Sequence, residues 1–99
     1  MQSTAGNLSS MSREIIYSKV FDEAVETLGG YRAVDKALDA IIDGLMRNPY
    51  AFPKYENDFV SFRYIITKPI ENMSSLAVTF SIGKDGKVTL EHVEENEKY

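Results

Sequence analysis

Few side chains in this 99-residue chain could carry chemistry. There is no cysteine and only one histidine, which excludes a thiol nucleophile, a disulfide framework and a zinc finger. A single imidazole also leaves little from which to build a transition-metal site. What remains is a scatter of cations around one acid/base group. Arg63 sits in Phe62-Arg63-Tyr64, where strand alternation sets it opposite the apolar positions. A guanidinium there either holds a phosphate or acidic side chain in a bidentate fork or stands solvated on an open sheet face. His92 shares the parity of Val88 and Leu90, so alternation turns it toward the core. Acid/base work would need an orienting partner, and Glu94 has the matching parity while Glu91 points the other way. Without such a partner, His92 is a half-buried structural residue. Lys54 lies among Tyr50, Phe52, Tyr55 and Phe59, in a segment stiffened by Pro49 and Pro53. Interleaved aromatics of this kind stack bases, line a groove for a partner peptide or pack a corner over the core. Lys68 opens the loop Lys68–Met73, which is long enough to carry binding contacts. No phosphate loop, dinucleotide fingerprint or metal-ligand spacing occurs, so neither a cofactor nor a metal is expected.

The charge balance narrows the field further. Eleven basic and fifteen acidic residues give a net charge of −4. Residues 13–48 carry −2, residues 49–87 carry +1 and residues 88–99 carry −3. A nucleic-acid binder releases counterions through a basic stripe, and the sequence has none. The closing run Glu91…Glu97 reads as a solvated acidic tail. No apolar run approaches the roughly 18 residues of a membrane span. Met1–Ser12 is uncharged and lacks the basic and apolar regions of a secretory signal. The expected location is therefore the cytoplasm.

These side chains must be positioned by one small domain, because 99 residues supply a single core. Residues 1–12 are small, polar and aperiodic, and read as a flexible tail in which Met11 is a second candidate start. Residues 13–99 form the domain. Ile15-Ile16-Tyr17 suits a short strand. Ser18 stands at a helix N-cap, and Phe21, Ala24, Val25 and Leu28 follow at one-face spacing up to Gly29-Gly30. A second helix over about 33–47 buries Val34, Leu38, Ile41, Ile42 and Leu45, and ends at Asn48-Pro49. Two helices so closely linked form a hairpin. From 59 to 67 the even positions Val60, Phe62, Tyr64 and Ile66 are apolar. From 75 to 82 the even positions Leu76, Val78, Phe80 and Ile82 are apolar too. Lys84-Asp85-Gly86-Lys87 is a hairpin turn leading to a last strand over 88–93. The expected fold is α+β, in the order β-α-α-β-β-β, with the helical hairpin packed on one face of a small antiparallel sheet.

This order resembles the RelE/ParE superfamily of toxins from type II toxin–antitoxin modules. The resemblance spans residues 13–99 and rests on element order and apolar spacing. It is carried by Ile15-Ile16-Tyr17-Ser18 before the first helix and by Leu45-Met46-Arg47-Asn48-Pro49 closing the second. Phe62-Arg63-Tyr64, Leu76…Ile82 and Val88…Val93 follow as the sheet. The resemblance implies a cytoplasmic toxin neutralised by a cognate antitoxin, with a ribosomal or gyrase-like target. In the ribonuclease members basic side chains on the sheet stabilise a phosphate without metal, and a C-terminal tyrosine assists proton transfer. Transferred onto this chain, the match gives Arg63 on the second strand and Tyr99 at the terminus. Leu76 and Ala77 stand where a third-strand arginine belongs, and Glu94 and Glu95 replace a basic pair. Two carboxylates in place of two cations repel a phosphate.

Three readings follow. The first is a toxin-module protein that binds a protein target and lacks the usual ribonuclease site. The second is a metal-independent endoribonuclease using Arg63, His92 and Tyr99 in a rearranged site, with Lys54, Arg63 and Lys68 as binding cations. The third is a non-toxic interaction module of the same fold. A homodimer is compatible with each.

Overall fold

The computed structural model describes residues 14–55, 62–69 and 73–96. Along the chain run β1 (Ile15–Tyr17), α1 (Lys19–Thr27), α2 (Tyr31–Arg47), a 3-10 turn (Pro49–Ala51), β2 (Arg63–Ile66), β3 (Leu76–Ile82) and β4 (Val88–Glu95). The expected tail, the strand start at Phe59 and Val60, the middle of the 68–73 loop and Tyr99 all lie outside the described residues.

Ser18 both ends β1 and starts α1. Its backbone N–H donates to the Leu90 carbonyl at 3.2 Å, while its hydroxyl accepts from the Phe21 N–H at 3.0 Å. One residue thus joins strand to helix and satisfies an otherwise unpaired helix donor. Gly29 and Gly30, at φ 112° and 93°, turn the chain sharply enough for α2 to begin at Tyr31, earlier than the apolar spacing alone indicates. Asn48 closes α2, and its side-chain oxygen caps the 3-10 turn by accepting from the Tyr50 N–H.

The four strands form one sheet in the order β1-β4-β3-β2. It is mixed rather than antiparallel. Short connections force β2, β3 and β4 to alternate in direction, but β1 reaches its place through two helices and lies parallel to β4.

One apolar cluster fills the space between helices and sheet. Phe21 and Val25 come from α1, and Val34, Ala37, Leu38, Ile41 and Leu45 from α2. The sheet contributes Ile65, Leu76, Val78, Phe80, Val88, Leu90 and Val93. Both helices therefore cover the same sheet face, and burying each of the large side chains contributes about 2–3 kcal/mol. Two features of the sheet depart from what the apolar pattern of the sequence indicates. On β2 the inward residue is Ile65, not Tyr64 or Ile66. On β4, Phe80 faces Leu90 and Thr79 faces His92, which leaves Glu91 as an extra residue in a bulge.

Candidate functional site

Arg63 lies on the core-facing side of β2, directly opposite the fully buried Phe80. It was expected on the outer face. The sequence pattern misleads because Tyr64 and Ile66 are apolar yet outward, while Arg63 is polar yet satisfied on the inner side. Its guanidinium donates to the Phe52 carbonyl at 2.7 Å and the Tyr50 carbonyl at 3.2 Å. It also lies over the Tyr50 ring, 5.5 Å from the centroid. These contacts tie the 3-10 turn to the sheet. Both hydrogen bonds are donated by Nη1, so the two donors of that nitrogen are spent on the turn.

His92 lies on the opposite, open face of the sheet. The bulge at Glu91 shifts the parity of β4, so that Val93 is buried at 2% exposure and His92 faces Thr79 on the side away from the helices. The inward placement expected for His92 is thereby overturned. Its Nε2 is 3.3 Å from a Glu94 carboxylate oxygen, so the expected His92–Glu94 pairing is present on an exposed surface. Glu91, expected to point away from His92, instead reaches Ser81 on the same open face through a 2.6 Å hydrogen bond. Tyr64, Thr79 and His92 form one row across three strands. The Tyr55 hydroxyl bonds Thr79 at 3.0 Å, and its ring lies 4.7 Å from that of Tyr64.

The sheet therefore separates Arg63 from His92. Lys54 pairs with Arg63 through an isolated antiparallel bridge and is exposed. Lys68 lies just past β2, also exposed. It borders a groove of about 400 Å³ between α2 and β2, whose buried floor is Ala37, Ile41 and Ile65. Lys36 lies on the α2 side of that groove. Spacing alone gave no warning of this groove, because the outward Lys36 reads as one of several solvated charges on α2. A second cavity, of about 570 Å³, lies between the end of α1 and the end of β4, beside His92 and Glu94.

A separate polar cluster sits where β1 meets the helices. The Tyr31 hydroxyl donates to the Asp22 carboxylate, and the Tyr17 ring meets both Phe21 and Tyr31 edge-on. Partial burial raises the Tyr31 phenol well above its ordinary range, with the hydrogen bond and the charge of Asp22 adding to the effect. Partial burial also raises Tyr17, helped by the negative charges of Asp35 and Asp39. Among the described residues no three His, Asp or Glu side chains converge to hold a metal ion. No helix among them is long and apolar enough to cross a membrane.

No family model, curated protein or solved structure matches this chain. Any functional reading therefore rests on the arrangement of its own side chains.

Proposed function

We propose that the protein is a RelE/ParE-like toxin-module protein that acts by docking onto a protein target in the cytoplasm and is neutralised by a cognate antitoxin. The observation that carries the docking half of this reading is the separation of Arg63 from His92 by the thickness of the sheet. Phosphate cleavage without metal needs cations and a proton-transfer group converging on one point where charge develops. Here the arginine is engaged by two backbone carbonyls on one side, and the histidine stands beside a carboxylate on the other. The toxin half is supported by element order, two helices on one sheet face between a first strand and three later ones.

The open sheet face supplies contacts suited to a protein. Tyr55, Tyr64 and Thr79 present rings and hydroxyls in one neighbourhood, and aromatic groups of this kind dominate interface cores. Glu91 and Glu94 on the same face repel nucleic-acid phosphates. A gyrase-like enzyme or a ribosomal protein fits the target class that the resemblance implies.

Controlled induction of the chain in bacteria tests this reading, beside incubation of the purified protein with messenger RNA in a metal chelator. Growth arrest with intact RNA, retained in His92→Ala, is the expected result. RNA cleavage lost in His92→Ala would replace docking by the ribonuclease reading. Unimpaired growth with well-expressed, folded protein would remove the toxin half.

A further inference from the structure

We propose that the groove between α2 and β2 is a docking site for an extended segment of a partner protein, one that carries an apolar side chain flanked by carboxylates. This deepens the docking reading above and rests on it for the class of partner.

Three observations converge on this groove. The first is backbone availability. The segment 53–55 covers the outer edge of β2 only at its start, where the Tyr55 N–H donates to the Phe62 carbonyl and the Tyr64 N–H to the Pro53 carbonyl. On the other side the Thr67 N–H bonds the Leu76 carbonyl at 2.9 Å. Strand alternation then directs the backbone N–H and C=O of Ile66 away from β3, past the end of the covering segment. Among the described residues no strand lies there. A free edge of this kind accepts an added strand.

The second observation is the apolar surface beside that edge. The groove is lined by Ala37, Ala40, Ile41, Phe52 and Ile65, with Ile66 exposed at 40%. Small alanines on the helix leave room that a partner side chain can fill.

The third is charge. Lys36 and Lys68 both border the groove, and neither forms an ion pair among the described residues. No acidic side chain lines it, although the chain as a whole carries −4. Two cations beside an apolar slot select an acidic segment and steer its approach. A second copy of the chain is disfavoured. Its acidic, partly uncovered strand is β4, and pairing β4 of one copy with β2 of the next is a head-to-tail contact, not the self-complementary contact of a two-fold dimer.

Backbone-amide NMR of the intact protein provides the test, by titration with the blocked peptide acetyl-Glu-Val-Leu-Val-Glu-amide and its Lys-flanked counterpart. Saturable shifts at Ala40, Ile66 and Thr67 are expected with the acidic peptide. Affinity for it should fall at least about tenfold in the Lys36→Glu/Lys68→Glu variant, and the Lys-flanked peptide should bind at least about tenfold more weakly. Both substitutions lie on exposed side chains, so the fold is retained and the amide spectrum reports it. Absence of shifts at the groove overturns the proposal. Shifts confined to Thr79 and His92 also overturn it, while leaving docking through the open face intact. Concentration-dependent broadening at the groove without peptide assigns the site to self-association and overturns it as well. Growth arrest is scored independently of all these outcomes.

Discussion

Arg63 and His92 stand back to back across the sheet. Arg63 pairs with Phe80 on the helix side, and the preceding residue of β3, Thr79, pairs with His92 on the open side. Adjacent residues of one strand point to opposite faces, so no side-chain rotation brings the two groups together. What each does is set locally: Arg63 clamps the 3-10 turn, and His92 belongs to an exposed row of hydroxyls and carboxylates.

Arg63→Ala is therefore expected to cost stability rather than chemistry. It removes two hydrogen bonds from a charged donor and a contact with the Tyr50 ring. A loss of about 2 kcal/mol is expected from urea unfolding. Arg63→Lys should recover only part of it. The ammonium must reach the two carbonyls held by Nη1 from a side chain one bond shorter, and it lacks the planar group that lies over the Tyr50 ring. By contrast, His92→Ala breaks only an exposed pair and should shift stability by less than about 0.5 kcal/mol. Equal losses in the two alanine variants would contradict this division of roles.

The bulge at Glu91 predicts an unusual tolerance. Removing Glu91 leaves Leu90 opposite Phe80, His92 opposite Thr79 and Val93 opposite Val78, with regular alternation and no change in which residues are buried. A deletion inside a central strand ordinarily reverses every side chain beyond it. Here it should cost only the Ser81–Glu91 hydrogen bond and the local twist, about 1 kcal/mol. Urea unfolding of the deletion variant decides the matter, and a loss beyond about 3 kcal/mol would show that the bulge itself is required.

Tyr31 makes a prediction in alkali. Its folded value is raised above the ordinary 10.0 by burial and by the bond to Asp22, so the folded state holds the phenolic proton more tightly than the unfolded chain. The stability this contributes is complete below pH 10 and is lost as the pH rises further. In Tyr31→Phe the alkaline decline should be shallower, although the variant starts about 1 kcal/mol less stable at pH 7. Tyr17, raised in the same direction, maintains part of the decline. Thermal melts between pH 7 and 11 measure both slopes, and parallel declines would exclude the Tyr31 contribution.

The helices were readable because their signals are local. Ser18, the Phe21–Val25 spacing and Gly29-Gly30 act within one or two turns, and each appears where the sequence places it. Gly86 likewise takes the positive φ that Asp85-Gly86 suggests. The sheet faces were harder to read because parity depends on events outside the strand. The bulge at Glu91 reversed the assignment of His92, and the carbonyls of Tyr50 and Phe52 made the inner side of β2 suitable for Arg63. The parallel placement of β1 depends on how two helices cross the sheet, which no short pattern encodes.

Gly44 offers a test of packing around the same turn. In mid-helix, glycine is about 0.5–1 kcal/mol worse than alanine, so Gly44→Ala would ordinarily stabilise α2. An added Cβ would lie 3.1 Å from the Phe52 ring, and that ring already meets the fully buried Phe80 edge-on, with centroids 6.0 Å apart. Phe80 has no space into which to yield, and the Phe52 carbonyl is held by Arg63. Gly44→Ala should therefore destabilise the protein by about 1 kcal/mol. In a Phe52→Leu background the obstruction is gone and the same substitution should stabilise. A double-mutant cycle by urea unfolding reads the difference as a coupling of about 1.5–2 kcal/mol. Additive effects would mean that the ring does not restrain the helix at Gly44.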